Sequence, residues 1–424
     1  MSSIKDRNNK IREAGIATRA RRANQTCKTF KFKIPTNRIS KKLQSKLKMM
    51  FVESKWIYNY LLSKSEEIDI FDIVGNYKNL NVVTHLDKDK NEVTSNIEHI
   101  LSSVRQELMQ QIANQIKALA KLKEKGHNIG KLKFKSDFHS IKFKQYGVTH
   151  YLKGNKIKIQ GIKELIPLLG LKQLSKYNNL DITTMNLIKE VDDYYVCLTC
   201  YFDPMEISSH KNDIIGIDLG IVDNLTLSNG QHINVYIEES ERIKRLQDKI
   251  SRCKKGSNNR YKLRKKLQIA YNQDRNRKND LANKIVHKLL SENKIIVLQD
   301  DNLNEMKDNK SGSDTSKTIQ HSILGRVKAK LKESKQVIWL DRWCPTTQYC
   351  TKCGTKTKHD TSKRMFVCKK CGYTEDRDLH AATNMIYFLQ SYNKDILNYT
   401  SQELAGVPHT IKWKDISNIL SKVV

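Results

Sequence analysis

The sequence is short of proline, with five in 424 residues. No proline-rich or low-complexity stretch marks a linker. It has no apolar run near the ~18 residues of a membrane-crossing helix, which excludes a helical membrane span. The opening MSSIKDRNNK holds no apolar segment of the secretory type, so export is not expected. No GxxxxGK[ST] loop is present, which argues against ATP hydrolysis by a P-loop. No Ser/His/Asp or Cys/His arrangement offers a nucleophile with its base. Acid is scarce relative to base: 45 Asp and Glu face 77 Lys and Arg, a formal net charge of +32. That imbalance does not suit an enzyme of small neutral metabolites. It points to a polyanionic partner, most simply nucleic acid. Hydrophobic residues make up 38 % of the chain, enough for packed cores. The length suits two or three domains at roughly 150 residues each.

The positive charge is concentrated. Residues 1–50, 121–160 and 241–290 carry +13, +9 and +13, and the rest of the chain sums to about −3. Three basic segments on a neutral background read as walls of a groove that neutralises phosphates, with salt-sensitive binding as the consequence.

Residues 1–26 are charged and nearly free of large apolar side chains, so this stretch is expected to be mobile or ordered only on RNA. Lys28–Ile34 alternates and predicts a strand. Leu43, Leu47, Met50, Phe51 and Tyr58 fall on one face of a helix over 43–62, with Trp56 and Tyr60 as further core residues. Residues 63–97 are weakly patterned. Val104, Leu108, Ile112, Ile116 and Leu119 predict a second amphipathic helix over 101–125. KLKFK (131–135), IKFK (141–144) and KIKI (156–159) then alternate with period two, and 183–202 reads as a hairpin. The first half is thus a β-domain interrupted by a helical insert. In the second half, IIGID (214–218) predicts a strand ending in Asp218, with LTLSNG as its partner. Basic helices follow at 238–252 and 259–272, and a third helix at 279–291. KIIVLQDD (294–301) is a buried strand ending in acid. A helix at 318–333 and the strand QVIWLD (336–341) complete an α/β order.

Nine cysteines are present, four of them within 22 residues. Cys350-x2-Cys353 and Cys368-x2-Cys371 each end in glycine, Gly354 and Gly372. Two matched knuckles of this kind can close a tetrahedral thiolate site around Zn²⁺. The other five cysteines lack such partners, and Cys197 and Cys200 lie in a strand pattern as packing residues.

The acids at strand ends form a second constellation. Asp218 ends one strand, Asp300 and Asp301 end another, and Asp376 and Asp378 open a helix just after the cysteine cluster. Strand ends and an adjoining helix start can converge on one site. Three carboxylates there can hold two Mg²⁺ ions for phosphodiester hydrolysis. Asp300 and Asp376 read as turn or cap residues.

IGIDLG, the strand ending QDD, and CxxC…CxxCG followed by DRDLHAA-N resemble the TnpB family of transposon-encoded RNA-guided nucleases. KIREAGIATR, GKLKFKS, KKGSNNRY and QHSILGRVKAKL extend the resemblance along the chain, and 212–388 is its most specific part. The resemblance implies an RNase H-like (RuvC) α/β nuclease domain with an inserted zinc ribbon, preceded by a wedge β-barrel with a helical recognition insert. It divides the chain into 1–40 and 128–210 (wedge), 41–127 (recognition), 211–345 and 376–424 (nuclease), and 346–375 (ribbon). It implies Asp218, Asp301 and Asp378 as catalytic Mg²⁺ ligands and Cys350, Cys353, Cys368 and Cys371 as Zn²⁺ ligands. Its expected partners are a guide RNA from the element's own locus and double-stranded DNA with a short adjacent motif. The expected state is a monomer on the guide, in the cytoplasm and associated with the nucleoid. Two departures stand out. The family carries Glu where Asp301 stands, or Gln299 occupies that position in another alignment. His380 replaces the usual Asn. A shortened ligand leaves a second expectation open, an RNA-guided DNA-binding protein or repressor with weakened cleavage. A guide-free zinc-ribbon DNA-binding protein is a third.

Overall fold

The computed structural model describes residues 4–87, 89–191, 193–203, 214–220, 223–234, 237–303, 322–357, 363–399 and 407–420. The chain divides into two compact units, Met1–Met205 and Glu206–Val424. Among the described residues no helix is long and apolar enough to cross a membrane.

In the first unit, helix α1 (Ile4–Ala23) precedes strand β1 (Thr26–Ile34). The expectation of a mobile terminus fails for residues 4–23. The segment has no proline and a single glycine, and Arg21 and Arg22 anchor its last turn on the Asp181 carboxylate at 2.6 and 2.8 Å. Alternation in β1 turns Phe30, Phe32 and Ile34 into the core. Lys31 and Lys33 point outward and pair with Glu190 and Asp193 at 2.6 and 2.8 Å. β1 lies at one edge of a four-stranded antiparallel sheet. Its neighbours in order are β9 (Asp193–Phe202), β8 (Asp181–Glu190) and β4 (Ser140–Phe143). Cys197 and Cys200 are buried in β9 as packing residues. A second sheet holds β5 (His150–Lys153), β6 (Lys156–Ile159) and β7 (Ile166–Pro167). The two sheets share one hydrophobic core and meet at a bridge between Lys33 and Leu169.

The helical insert follows β1. Helices α2 (Lys41–Ser63) and α4 (Ser102–Glu124) match the predicted stripes, and Ser40 caps α2 through the N–H of Leu43. The weakly patterned stretch between them holds α3 (Ile73–Asn76) and a hairpin of β2 (Val82–Leu86) and β3 (Glu92–Asn96). Distant residues organise it. Trp56 stacks flat on His85 at 3.9 Å, and the buried Glu53 carboxylate accepts the backbone N–H groups of Glu98, His99 and Ile100. The strand expected at 131–135 does not form. Asn59 takes both polar groups of Lys135 instead, accepting its N–H at 2.8 Å and donating to its carbonyl at 3.0 Å.

The second unit is built on a six-stranded sheet in the order β12–β11–β10–β13–β14–β17. Its strands are β10 (Ile214–Asp218), β11 (Leu225–Leu227), β12 (His232–Ile233), β13 (Ile295–Gln299), β14 (Val337–Leu340) and β17 (Thr410–Ile411). β10, β13, β14 and β17 run parallel, β11 pairs antiparallel with β10, and β12 pairs antiparallel with β11. Helices α5 (Glu241–Ser251), α6 (Asn258–Glu292) and α7 (Leu324–Leu331) follow in the crossovers. Two expected helices are one: α6 runs unbroken for 35 residues. The polar stretch 273–278 interrupts the apolar stripe, but it contains neither Gly nor Pro, and Lys278 pairs with Asp274 one turn away at 3.0 Å. The start of the helix expected at 318–333 lies outside the described residues.

Both sheet faces are covered. Ile215, Ile217, Ile296, Leu298, Val337 and Trp339 share a core with α6 and α7. Ile295, Val297, Ile338 and Leu340 share another with α8 (Arg377–Tyr392), beside which lies α9 (Trp413–Leu420). The second cysteine knuckle forms the turn of a small hairpin, β15 (Met365–Val367) and β16 (Thr374–Asp376), directly before α8.

Candidate functional site

The cysteine cluster is local in origin. Gly354 (φ 68°) and Gly372 (φ 73°) adopt left-handed backbone. Each can then return its N–H to the carbonyl of the first cysteine of its pair, at 2.8 and 3.0 Å. The four sulfurs lie within 4.8 Å of one another, with Cys350–Cys371 at 3.7 Å and Cys353–Cys368 at 3.6 Å. A tetrahedron with Zn–S bonds of ~2.3 Å has edges of ~3.8 Å, so the cluster fits Zn²⁺. Backbone N–H groups, Cys371 first and then Lys370, draw the Cys368 thiol down to about 6. A thiolate is therefore available at neutral pH.

The acids meet through topology. Asp218 ends β10, whose register with β13 sets Ile217 beside Leu298 and so brings Asp218 level with the end of β13. Gly216 stands two residues before Asp218 on the face covered by α8. A Cβ there would lie 1.9 Å from the carbonyl oxygen of Ala382. The helix can approach only because that Cβ is missing. Ala382 is one turn beyond Asp378, so the same contact draws Asp378 toward Asp218. Burial first, then the charges of Asp378 and Asp301, push the Asp218 carboxyl up to about 7. Burial also raises Asp301, against the pull of Lys328 and Arg342. Asp218 thus feels both other carboxylates. Hard anionic oxygens that repel one another suit a hard cation, so the donor set fits Mg²⁺.

Asp378 is buried and held from two sides. Nε and Nη2 of Arg377 donate to its Oδ1 at 3.0 and 2.9 Å, and Nη1 of Arg364 donates to Oδ2 at 3.1 Å. Asp376 is a cap, as expected: its carboxylate accepts the N–H groups of Asp378 and Leu379. Asp300 is an ion-pair residue rather than a turn residue. It faces α7 and pairs with Lys328 and Lys332, both at 2.9 Å. Lys328 also donates to the backbone carbonyl of Asp301.

Sequence comparisons match two stretches, largely in the second half of the chain. A family model described as "Cas12f1-like, TNB domain" matches residues 322–385, and one described as "Probable transposase" matches residues 200–310. A Streptomyces pristinaespiralis protein named as an RNA-guided DNA endonuclease is 30 % identical over 201 residues, covering 46 % of this chain and 49 % of that protein. The similarly named InsQ of Escherichia coli K12 is 25 % identical over 276 residues, covering 58 % of this chain and 67 % of InsQ. Over these stretches the chain is similar to members of the TnpB family. The match spans about half the length of the Streptomyces relative. A cryo-EM structure titled as a Cas12f1–sgRNA–target DNA complex aligns over 85 % of this chain and 99 % of that one, with a TM-score of 0.43 and 12 % identity.

The side chain of Gln299 is already engaged. Its Nε2 donates to the carbonyls of Arg342 and Cys344 at 2.9 Å each, and its Oε1 accepts the Thr346 hydroxyl at 2.8 Å. His380 is buried, stacks on Phe366 at 3.8 Å, and reaches Glu375 and the Tyr349 carbonyl at 2.9 Å each. Asn384 donates to the carbonyls of Thr346 and Tyr349 at 2.5 and 2.8 Å. Together they tie β13, the loop after β14 and the ribbon to α8. Sequence reading did not find Arg364, Arg377, Lys328 or this clamp. Apart from Arg377 and the His380–Glu375 contact, each acts on a partner more than ten residues away, so no local spacing signals it.

Proposed function

We propose that this chain is an RNA-guided, Mg²⁺-dependent DNA endonuclease with an RNase H-like (RuvC) active site. One observation carries the reading: Asp218, Asp301 and Asp378 come from three separate elements, yet burial and then the charges of Asp378 and Asp301 push the Asp218 carboxyl up to about 7. Side chains that a fold brings together against their mutual repulsion are candidates for function. In this reading the three carboxylates hold Mg²⁺, which supplies an activated water and stabilises the attacking and leaving oxygens of a phosphodiester. Lys328 fixes the Asp301 backbone, and the Gly216–Ala382 approach fixes Asp378 opposite Asp218. Cys350, Cys353, Cys368 and Cys371 hold a structural Zn²⁺ that shapes the segment before α8. Residues 1–40 and 128–210 are the wedge domain, 41–127 the recognition insert, 346–375 the ribbon, and 211–345 with 376–424 the nuclease. The guide RNA comes from the element's own locus and reads the target by pairing, while the protein grips phosphates and reads a short adjacent duplex motif. The complex is one protein chain on one guide, acting in the cytoplasm on nucleoid DNA.

A second reading, a guided DNA-binding protein with weak cleavage, draws on Asp301 in place of Glu and on the two arginines at Asp378. The test incubates the chain and its locus RNA with a plasmid target and Mg²⁺. Cleavage by wild type, and loss of at least ~100-fold in Asp218→Ala and Asp378→Ala with guided binding retained, is the expected result. Guided binding without wild-type cleavage would establish the second reading. Absence of copurifying RNA and of salt-dependent RNA binding would remove both.

A further inference from the structure

Trp343 lies in the loop after β14 and is 70 % exposed. A single exposed apolar side chain is ordinary on a protein surface. The loop that carries this one is unusually well held. Nε2 of the buried Gln299 donates to the carbonyls on either side of Trp343, those of Arg342 and Cys344, at 2.9 Å each. The Trp343 N–H donates to Oδ1 of Asp341 at 3.3 Å, and the Asp341 N–H donates to the Ile411 carbonyl of β17 at 2.9 Å. Cys344, directly after it, is buried. The backbone is thus fixed on both sides of a residue whose indole stands in solvent. Ordering a loop costs conformational entropy, and an exposed indole recovers little of it by burial. The ring is instead backed by a cation: the guanidinium carbon of Arg342 lies 5.0 Å from its centroid.

The place of the loop says what the ring would meet. β13 and β14 run in parallel register with Gln299 beside Leu340, and the Asp300 N–H donates to the Leu340 carbonyl at 2.9 Å. The loop therefore leaves the sheet at the edge where Asp218 and Asp301 stand. The Arg342 charge reaches the Asp301 carboxylate and opposes the upward push of burial. We infer that Trp343 is a stacking platform for an unpaired nucleobase of the DNA strand that enters the carboxylate site, with Arg342 as a cation beside its phosphates. The inference rests on the nuclease reading of that site. A base inside a duplex has both faces stacked on its neighbours, so an indole takes one only from a single strand. Guide pairing displaces such a strand. Every base has a π-face, so the platform is indifferent to sequence, which suits a protein that leaves target reading to a guide.

Two measurements on the full chain test this. Intrinsic fluorescence of the RNA-free chain is titrated with oligothymidylate DNA in wild type and Trp343→Phe, whose difference isolates Trp343 from the other tryptophans. The Trp343 component should be quenched. Absence of that quenching would overturn the inference, and quenching by oligouridylate RNA alone would also overturn it by assigning the platform to RNA. Guided cleavage is then compared for wild type, Trp343→Ala and Trp343→Tyr, on intact targets and on targets with one abasic site stepped through the cut region. Trp343→Ala should cut intact DNA about tenfold more slowly, and Trp343→Tyr should recover most of the rate. One abasic position should slow wild type about tenfold and leave Trp343→Ala unaffected, a dependence that a merely structural tryptophan would not show. Wild-type cleavage by Trp343→Ala, or the same response of both proteins at every abasic position, would overturn the inference. A wild type that cuts nothing sinks the endonuclease reading, and the fluorescence difference then still decides whether Trp343 stacks on a DNA base.

Discussion

The second unit contains two donor sets suited to metals, and they are assembled in opposite ways. The four sulfurs come from two tight turns within 22 residues and already stand at tetrahedral spacing. The three carboxylates come from positions 218, 301 and 378, meet only through strand register and one helix contact, and leave one member clasped by arginines. A site that only has to hold an ion can be closed and local. A site that has to exchange ligands during a reaction is better drawn from separate elements, each free to adjust. The largest expected effect tests the closed site. Structural Zn²⁺ contributes on the order of 10 kcal/mol or more of apparent folding energy in small domains, comparable to a whole domain's stability. Elemental analysis should find about one zinc per wild-type chain. Cys353→Ser and Cys371→Ser should lose it, and hydrogen exchange should show lost protection through the ribbon and the first turns of α8. A purified wild type without zinc would break the comparison at its first term.

The open site is tested next, at its shortest ligand. Asp301 has one methylene less than the Glu usual in the family, and displacement of about 1 Å can cost on the order of 100-fold in rate. Asp301→Ala should therefore lose about 100-fold in guided cleavage at matched DNA occupancy. Asp301→Glu should gain up to about tenfold if reach is limiting. Lys328 holds the Asp301 carbonyl and the Asp300 carboxylate. Lys328→Met should slow cleavage about tenfold while leaving guided binding intact. Equal, robust cleavage by wild type, Asp301→Ala and Asp301→Glu would remove Asp301 from the second position and show that the strand is misaligned with its relatives.

The same contrast explains what could be read from the sequence. The cysteine site was legible because its geometry is written in spacing: two CxxC-Gly units dictate two turns. Strands such as Ile214–Asp218 and Ile295–Gln299 were legible because full burial demands uninterrupted apolar residues. The acids were legible as strand ends, but the reason they converge, a missing Cβ at Gly216 against Ala382, is a tertiary fact. Long-range partners also account for the misreadings. KLKFK alternates like a strand, yet Asn59 captures Lys135, and the N-terminal segment folds as a helix anchored by Asp181. Residues 63–97 showed no pattern because Trp56, outside the segment, stacks on His85 within it, and Glu53 holds the backbone of 98–100 directly after it.

The smallest effect sharpens the comparison through pH. The Asp218 carboxyl sits at about 7, against ~3.9 in an unfolded chain. Between those values the folded protein keeps a proton that the unfolded chain has released. Stability from this group is thus greatest at low pH and falls as pH rises toward about 7, by at most about 1.4 kcal/mol per unit. Mg²⁺ needs the carboxylate, so below about 7 it must displace that proton, and its apparent affinity should drop by up to about tenfold per pH unit. Above about 7 the proton is gone and affinity should level off. The measurement is the Mg²⁺-induced rise in Tm of the RNA-free chain from pH 5.5 to 8.5, with Asp218→Asn alongside. The rise should grow with pH and flatten above about 7 in wild type, and stay small throughout in Asp218→Asn. A wild-type response independent of pH would mean that the three carboxylates do not share their charge, and that the open site is no more a single site than its sequence spacing suggests.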